Sequence, residues 1–183
     1  YLITVIVTDA GGQSSDITLN YTVNEKTFPK QEFSISQSML DLRSQENEKT
    51  DNLTIEKALS SSEPFPLWSS FKKPLDGQIT THYGENRYVN GTLNYTHSGI
   101  DIAEPKGTPV PCAADGKVVF SGSLIVSGNT VIIDHGLNLF SMYCHLDSSE
   151  VSVGDAVKQG DIVGKLGSTG FSTGPHLHWQ MKL

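Results

Sequence analysis

The chain has 183 residues, which is enough for one domain with a hydrophobic core and some attached segments. It carries 13 basic against 20 acidic residues and contains no basic block, so we expect no nucleic-acid partner. No apolar run approaches the ~18 residues that a transmembrane helix needs, so we expect no membrane span in this chain. The chain opens on a strand pattern without a signal peptide, so we expect an internal fragment of a longer protein.

Residues 1–24 have the pattern of a β-hairpin. Side chains alternate from Tyr1 to Thr8, turn-forming residues occupy 9–12, and the alternation resumes from Ile17 to Val23. An isolated hairpin is marginally stable in water. The stretch is therefore similar to the last two strands of an immunoglobulin- or cadherin-like repeat. It would act as a spacer or adhesion module, or simply pack on its neighbour.

Residues 25–64 are polar and are predicted to be a linker or docking segment. Apolar residues between Phe33 and Leu42 favour a short strand and a turn of helix. Asp51 or Asn52 is a suitable N-cap for a second helix that would run to about Ser61.

The composition changes after Pro64 and Pro66, which disfavour helix in the residues before them. Fifteen of the 17 glycines and all six histidines lie beyond residue 76. Short β-branched runs recur between glycine-containing turns. This pattern predicts an all-β domain of many short strands, without a helix of ten residues.

Two short motifs in this region carry metal-binding side chains. Residues 97–101 read HSGID, and residues 176–179 read HLHW. In an extended chain, the His and Asp of the first motif point to the same side, and so do the two His of the second. Imidazole and carboxylate suit zinc, and a catalytic zinc takes three protein ligands and leaves a fourth position open. The motifs therefore predict two halves of a site for zinc-dependent hydrolysis.

With the YCHL stretch at 143–146 and GSTGFSTGPHLHW at 167–179, these motifs resemble those of the M23 peptidases, the lysostaphin-like cell-wall endopeptidases. The resemblance covers residues 65–183. It implies a catalytic domain with a two-sheet antiparallel β fold, a β-hammerhead-type barrel or sandwich with a zinc groove. It also implies an extracytoplasmic enzyme that cleaves stem peptides or crossbridges of bacterial peptidoglycan. A further partner would be a component of the cell envelope.

The resemblance implies a role for each residue of the site. His97, Asp101 and His178 would bind one zinc ion per chain, and His145 and His176 would be the two catalytic histidines that are not ligands. There is no HExxH motif and hence no glutamate base of the common zinc proteases. A histidine can replace that base because its unperturbed pKa lies near neutral pH. The residues leave open which histidine is the base.

The resemblance also implies a substrate groove. Its predicted lining residues are Tyr143, Ser172, Thr173 and Gly174. Tyr143 would share a strand face with His145, although core packing is an alternative role for its ring. Gln180 stands where the family commonly has a glutamate and lies on the same strand parity as His178, so this departure from the family pattern would alter any support that position 180 gives to the ligand.

The remaining histidines and the two cysteines have simpler interpretations. His82 and His135 sit at a strand end and a turn, and we expect structural roles for both. Cys112 and Cys144 are too few for a disulfide framework and lack metal-site spacing, so we expect two small buried hydrophobic residues.

Two other functions compete with the peptidase. Residues 151–161 and Lys182 are similar to a biotinyl or lipoyl carrier domain, but a carrier lysine needs a tight hairpin and does not need this set of histidines. A catalytically silent M23-fold module that binds cell wall or activates a partner hydrolase is the stronger alternative. The residues also leave open which crosslink is cut. They leave open whether 25–64 keeps an enzyme latent through a further metal ligand, for which the candidates are Asn47, Asp51 and Asn52.

Overall fold

The computed structural model describes residues 2–8, 11–20, 22 and 24–183. At the start, β1 (Leu2–Thr8) pairs antiparallel with β2 (Ser14–Asn20). The predicted hairpin is confirmed over these two strands. Asp9 and Ala10 of the predicted turn, with Tyr1, Tyr21 and Val23, lie outside the described residues. Membership of an immunoglobulin- or cadherin-like repeat stays a prediction.

The polar segment is folded into β3 (Lys30–Phe33), α1 (Gln37–Leu42) and α2 (Gln45–Ala58). The short strand and the turn of helix are therefore confirmed. The prediction that Asp51 or Asn52 caps the second helix is wrong. Its N-cap is Ser44, whose hydroxyl oxygen accepts a hydrogen bond from the Asn47 N–H at 3.3 Å. Two acidic residues in the first turn also favour this earlier start, because they oppose the positive end of the helix dipole.

Neither of these helices is both long and apolar enough to cross a membrane. The rest of the chain forms short strands, as the glycine and β-branched pattern predicts. They are β4 (Gln78–Thr81), β5 (Asn86–Val89), β6 (Thr92–Thr96), β7 (Ile100–Ala103), β8 (Pro109–Pro111), β9 (Gly116–Leu124), β10 (Gly128–Asp134), β11 (Phe140–Ser149), β12 (Ala156–Val157), β13 (Ile162–Leu166) and β14 (Leu177–Lys182). Residues 67–183, all of them described, contain no α-helix.

Nine strands form one sheet in the order β12-β9-β10-β11-β14-β7-β4, with β13 joined to β11 and β8. All of its strand pairs are antiparallel. A second sheet has the order β3-β5-β6, in which β3 runs parallel to β5. The predicted all-β, two-sheet architecture is confirmed. The parallel strand comes from the polar segment and was not foreseen.

Hydrophobic clusters lie on both faces of β10. Val131 and Ile133 belong to one cluster, whereas Ile132 belongs to the other, as alternation along a strand requires. The second cluster includes Ile55 of α2, which is only 6% exposed. Burying such a side chain stabilises a fold by about 1.5–3 kcal/mol. Helix α2 is therefore part of the core and not a loose linker.

The residues before β4 are also packed against the nine-stranded sheet. The Asp134 carboxylate accepts hydrogen bonds from the Ser62 hydroxyl at 2.6 Å and the Glu63 N–H at 3.0 Å. Gly136 has a φ of +84°, and a Cβ there would lie 1.9 Å from the Phe65 carbonyl oxygen. The proline-rich boundary is thus held at the end of β10.

Several single-residue predictions are confirmed. Cys112 and Cys144 are buried free thiols. His135 is fully buried, with Nδ1 2.8 Å from the Asp115 carbonyl oxygen and Nε2 2.7 Å from the Ser141 hydroxyl. Both ring nitrogens have partners inside the fold, so this histidine is structural.

Replacing His135 with glutamine should change how stability depends on pH. Burial lowers the pKa of His135 below its ordinary value near 6.5. Between the lowered pKa and about 6.5, the unfolded chain binds a proton that the folded chain does not, so stability falls as the pH falls through this window.

We therefore expect His135→Gln to be less stable at neutral pH but to lose stability less steeply on acidification, by at most ~1.4 kcal/mol per pH unit. Urea unfolding of metal-free protein at several pH values below neutral measures this slope. An unchanged slope would contradict the assignment.

Candidate metal centre and catalytic groove

The two predicted motifs meet on neighbouring strands. β14 pairs with β7 in a register that sets His178 directly opposite Asp101. His97 lies in the connection between β6 and β7, where its N–H donates to the Glu85 carbonyl oxygen at 2.8 Å. Sheet pairing therefore brings the two halves of the site together.

Glycine at position 99 permits this close approach. A Cβ there would lie 2.4 Å from the Trp179 carbonyl oxygen and 3.0 Å from Cε1 of His178. Any side chain would push the connection away from β14. Steric exclusion of a side chain therefore explains the glycine inside the HSGID motif.

Three side-chain atoms converge at this place. His97 Nε2 lies 3.0 Å from Asp101 Oδ1 and 2.9 Å from His178 Nδ1, and the last two atoms are 2.9 Å apart. These residues form the group of the described chain that could hold a metal ion. Ligands at ~2.0–2.1 Å around a tetrahedral zinc ion lie ~3.3 Å from one another. A small outward movement would therefore admit zinc.

Each of the two candidate ligand histidines has one ring nitrogen that faces away from Asp101, and the partner of that nitrogen bears on which nitrogen carries the proton. His97 Nδ1 lies 3.0 Å from the His82 carbonyl oxygen, which can only accept. His178 Nε2 lies 3.4 Å from Gln180 Oε1, which also accepts a hydrogen bond from the Ser98 hydroxyl. In the tautomer in which these outer nitrogens donate, both rings present lone pairs toward Asp101, and this is the arrangement that a bound cation requires.

Asp101 supplies the negative charge of the group. Burial raises the pKa of its carboxyl, but His178 and His97 lower it by more, so the pKa lies well below its usual range. Its Oδ2 accepts a hydrogen bond from the Arg87 guanidinium, which also donates to the Tyr95 hydroxyl at 3.2 Å. The sequence predictions missed Arg87, whose only signal is a short stretch before the first motif that matches the family.

Two further imidazoles stand beside this group in matching arrangements. His145 Nδ1 lies 2.8 Å from the Thr169 carbonyl oxygen, and His176 Nδ1 lies 2.8 Å from the Gly174 carbonyl oxygen. Each Nδ1 therefore donates, and each Nε2 carries a lone pair. The ring centroids are 4.8 Å apart, and His176 Nε2 lies 3.8 Å from Asp101 Oδ1. All five predicted site residues are thus in one cluster.

Both of these histidines are neutral at neutral pH. Burial, together with the neighbouring His176 and His178, lowers the pKa of His145 to about 3. Burial also lowers the pKa of His176, against the opposing effect of Asp101. The unprotonated nitrogens are therefore available to accept a proton.

A β-bulge brings His145 to the groove. Thr130 of β10 faces two residues of β11, Cys144 and His145, where the register shifts. His145 has a φ of +60°, in the left-handed region that few residues other than glycine adopt. Because of the extra residue, Cys144 and His145 both line the groove.

The prediction that Tyr143 lines the groove beside His145 is wrong. Its side chain is fully buried in the core on the other face of β11. Its hydroxyl oxygen accepts a hydrogen bond from the Ala113 N–H at 2.8 Å. The alternation rule fails here because the bulge inserts one residue between the two positions that it should relate.

The groove is a cavity of about 310 Å³, and Ser172 and Thr173 line it as predicted. Gly174, also predicted to line the groove, is not among its lining residues; its carbonyl oxygen lies 2.8 Å from His176 Nδ1 instead. Part of the wall comes from the polar segment, through Arg43 and residues of α2. The Arg43 guanidinium lies 3.5 Å from the centre of the Tyr95 ring. Sequence patterns gave no signal for this wall.

The three residues predicted as candidates for a further metal ligand make contacts elsewhere and do not join the group of His97, Asp101 and His178. The Asn47 amide donates to the carbonyl oxygens of Asp41 and Leu42 at 3.2 and 3.1 Å. The Asp51 carboxylate accepts hydrogen bonds from backbone N–H groups of the turn after β9. Asn52 lines the groove without joining the group of three donors.

The sequence profile of Peptidase family M23 matches residues 95–183, which contain all five clustered residues. The chain belongs to peptidase family M23. A solved structure from Pseudomonas aeruginosa described as an M23 peptidase covers 100% of this chain at 28% identity and a TM-score of 0.70, and the chain covers 67% of it. A zinc-containing peptidase from Vibrio cholerae is 35% identical with a TM-score of 0.58, over 63% of this chain and 37% of that one.

Among curated M23 relatives, the peptidoglycan DD-endopeptidase ShyC of Vibrio cholerae is 38% identical over 112 residues. The match covers 60% of this chain and 26% of ShyC, so the chain spans only about a quarter of that relative. Lys182, the lysine of the carrier interpretation, lies in β14 opposite Phe140.

Replacing Tyr143 with phenylalanine tests its corrected position. The variant leaves the buried Ala113 N–H without an acceptor, so we expect it to unfold about 1–3 kcal/mol more easily. Metal affinity and KM should not change, because the ring does not line the groove. Urea unfolding and a zinc titration measure the two effects. Altered zinc binding at unchanged stability would contradict the buried position and support a place for Tyr143 in the groove.

Proposed function

We propose that this chain is a zinc-dependent endopeptidase that cleaves peptide crosslinks of bacterial peptidoglycan. The observation that carries the proposal is the convergence of His97 Nε2, Asp101 Oδ1 and His178 Nδ1 within 3.0 Å of one another. Two neutral imidazoles and one carboxylate would leave a bound Zn²⁺ with a net charge of about +1. Membership of a peptidase family supports the class of reaction.

The chain's own residues would divide the work as follows. His97, Asp101 and His178 would hold the metal, with Gln180 and the His82 carbonyl oxygen orienting the two rings. When bound, zinc would polarise the substrate carbonyl and lower the pKa of a water molecule toward ~7.

His145 and His176 would move the protons. A neutral imidazole can accept the proton of the attacking water at Nε2 and then donate it to the leaving amine. Once protonated, the same Nε2–H can donate a hydrogen bond to the negatively charged oxygen of the tetrahedral intermediate. Both rings have this capacity, because backbone carbonyl groups fix their Nδ1–H groups away from the substrate.

The substrate class is supported by the similarity to ShyC, a peptidoglycan DD-endopeptidase. Since peptidoglycan lies outside the cytoplasm, we propose an extracytoplasmic location. Residues 65–183 would be the catalytic domain, and residues 1–24 would help to hold it at the cell envelope.

Alanine variants should separate metal ligands from catalytic groups. His97→Ala and Asp101→Ala should lose zinc. His145→Ala and His176→Ala should keep one zinc per chain but lose on the order of 10²–10³ in rate. The control is His82→Ala, whose ring is 67% exposed and whose carbonyl oxygen remains in place. Zinc content after dialysis is the measurement, and loss of zinc from His145→Ala would contradict the division of roles.

Peptidoglycan digestion with and without a chelator tests the activity itself. We expect new amino termini to be released by the zinc-loaded chain, to disappear with chelator and to return when zinc is restored. Zinc binding without cleavage would support the silent cell-wall module instead. Failure to bind zinc after careful loading would refute the metal site.

A further inference from the structure

The turn between β9 and β10, residues Ile125–Ser127, connects the two catalytic histidines. The Ser127 carbonyl oxygen accepts a hydrogen bond from the His145 N–H at 2.9 Å, which fixes the bulge in β11. The Val126 carbonyl oxygen accepts one from the Phe171 N–H at 2.8 Å, which fixes the loop that leads to His176. The position of both rings therefore depends on this one turn.

The loop before His176 is packed tightly against the same region. A Cβ on Gly170 would lie 2.4 Å from the Gly128 nitrogen, and a Cβ on Gly128 would lie 2.4 Å from Thr169 Oγ1. The Thr169 carbonyl oxygen accepts the Nδ1–H hydrogen bond of His145. Because there is no spare space between turn and loop, a shift of the turn must move the partner of His145 and the start of the loop that leads to His176.

One carboxylate, on α2, holds this turn. Asp51 is 4% exposed, and its two oxygens accept hydrogen bonds from three consecutive N–H groups. The distances are 2.8 Å from Ile125, 2.7 Å from Val126 and 3.3 Å from Ser127. Hydrogen bonds to a charged acceptor are about twice as strong as neutral ones, so Asp51 fixes the turn more firmly than a neutral side chain could.

The rest of α2 holds Asp51 in place. Ile55, one helical turn further on, is buried in the cluster that contains Met142 and Cys144 of β11. Helix and turn are thus packed on the same strand that carries His145. Asp51 lies outside residues 95–183, the part of the chain that the family profile matches.

We propose that Asp51 is a positioning residue of the active site, which acts on His145 and His176 through the Ile125–Ser127 turn. The catalytic unit would then begin within the polar segment and not at residue 65. The inference rests on the proposed function for its effect on catalysis, but the contacts of Asp51 can be tested without it.

The experiment compares Asp51→Ala, Asp51→Asn and Glu56→Ala in the full chain loaded with zinc. Glu56 is an exposed acid on the same helix, so its variant removes an equal charge without touching the turn. We expect Asp51→Ala to keep one zinc per chain and to lose on the order of 10²-fold in kcat, the cost of a small misplacement of catalytic groups. Asp51→Asn keeps an acceptor oxygen and should fall in between, whereas Glu56→Ala should match the wild type.

Rescue by formate distinguishes a positioning role from a merely structural one. This small carboxylate can enter the space left in Asp51→Ala and accept the same N–H groups, so it should restore part of kcat. It should also return the ¹⁵N imidazole signals of His145 to their wild-type positions and slow hydrogen exchange at residues 125–127.

Wild-type kcat in Asp51→Ala would overturn the proposal. So would a uniform rise in exchange over the whole domain with no effect of formate, because that pattern indicates global destabilisation. If the wild-type chain does not cleave peptidoglycan, the proposed function fails by itself. The His145 signals and the local exchange rates then still decide the role of Asp51.

Discussion

The rest of the site depends on the convergence of His97 Nε2, Asp101 Oδ1 and His178 Nδ1 within 3.0 Å of one another. These three side chains are held in place because their other polar atoms are already bound. The His82 carbonyl oxygen, Gln180 and Arg87 occupy those atoms, and Gly99 lets the two strands approach. The fold thus orders the candidate ligands before a metal binds, so metal binding would lose less free energy to ordering them.

The two halves of the site could be predicted from the sequence because each half is local. His97 and Asp101 are four residues apart, His176 and His178 are two apart, and strand alternation points each pair to one side. The choice of His178 over His176 as a candidate ligand came from the family resemblance. His145 has no such local partner, and only its match to the family pattern pointed to it. Its actual position needs a bulge and a left-handed backbone, and nothing in the residues around it specifies either. The same bulge explains why Tyr143, placed by alternation, was assigned to the wrong face.

The groove wall contributed by the polar segment could not be predicted for a different reason. Asp51 binds backbone N–H groups 74 to 76 residues away, and backbone groups have no sequence signature. Read locally, an Asp in a polar stretch favours a helix cap, and the tertiary contacts that give it another role are invisible at that level. Ser44 is the cap instead. Local rules thus identified a helix but not its start, and they missed the contact of Asp51 with the turn after β9.

The parallel pairing of β3 with β5 also determines the edge of the second sheet. A strand at the edge of a sheet exposes unpaired backbone groups that can recruit a second chain. β3 is an edge of only four residues, with the charged Lys30 and Glu32 exposed, and these features discourage such recruitment. A chain that began at residue 65 would lack β3 and would leave β5 as the edge. The polar segment therefore gives this sheet a short, charged edge.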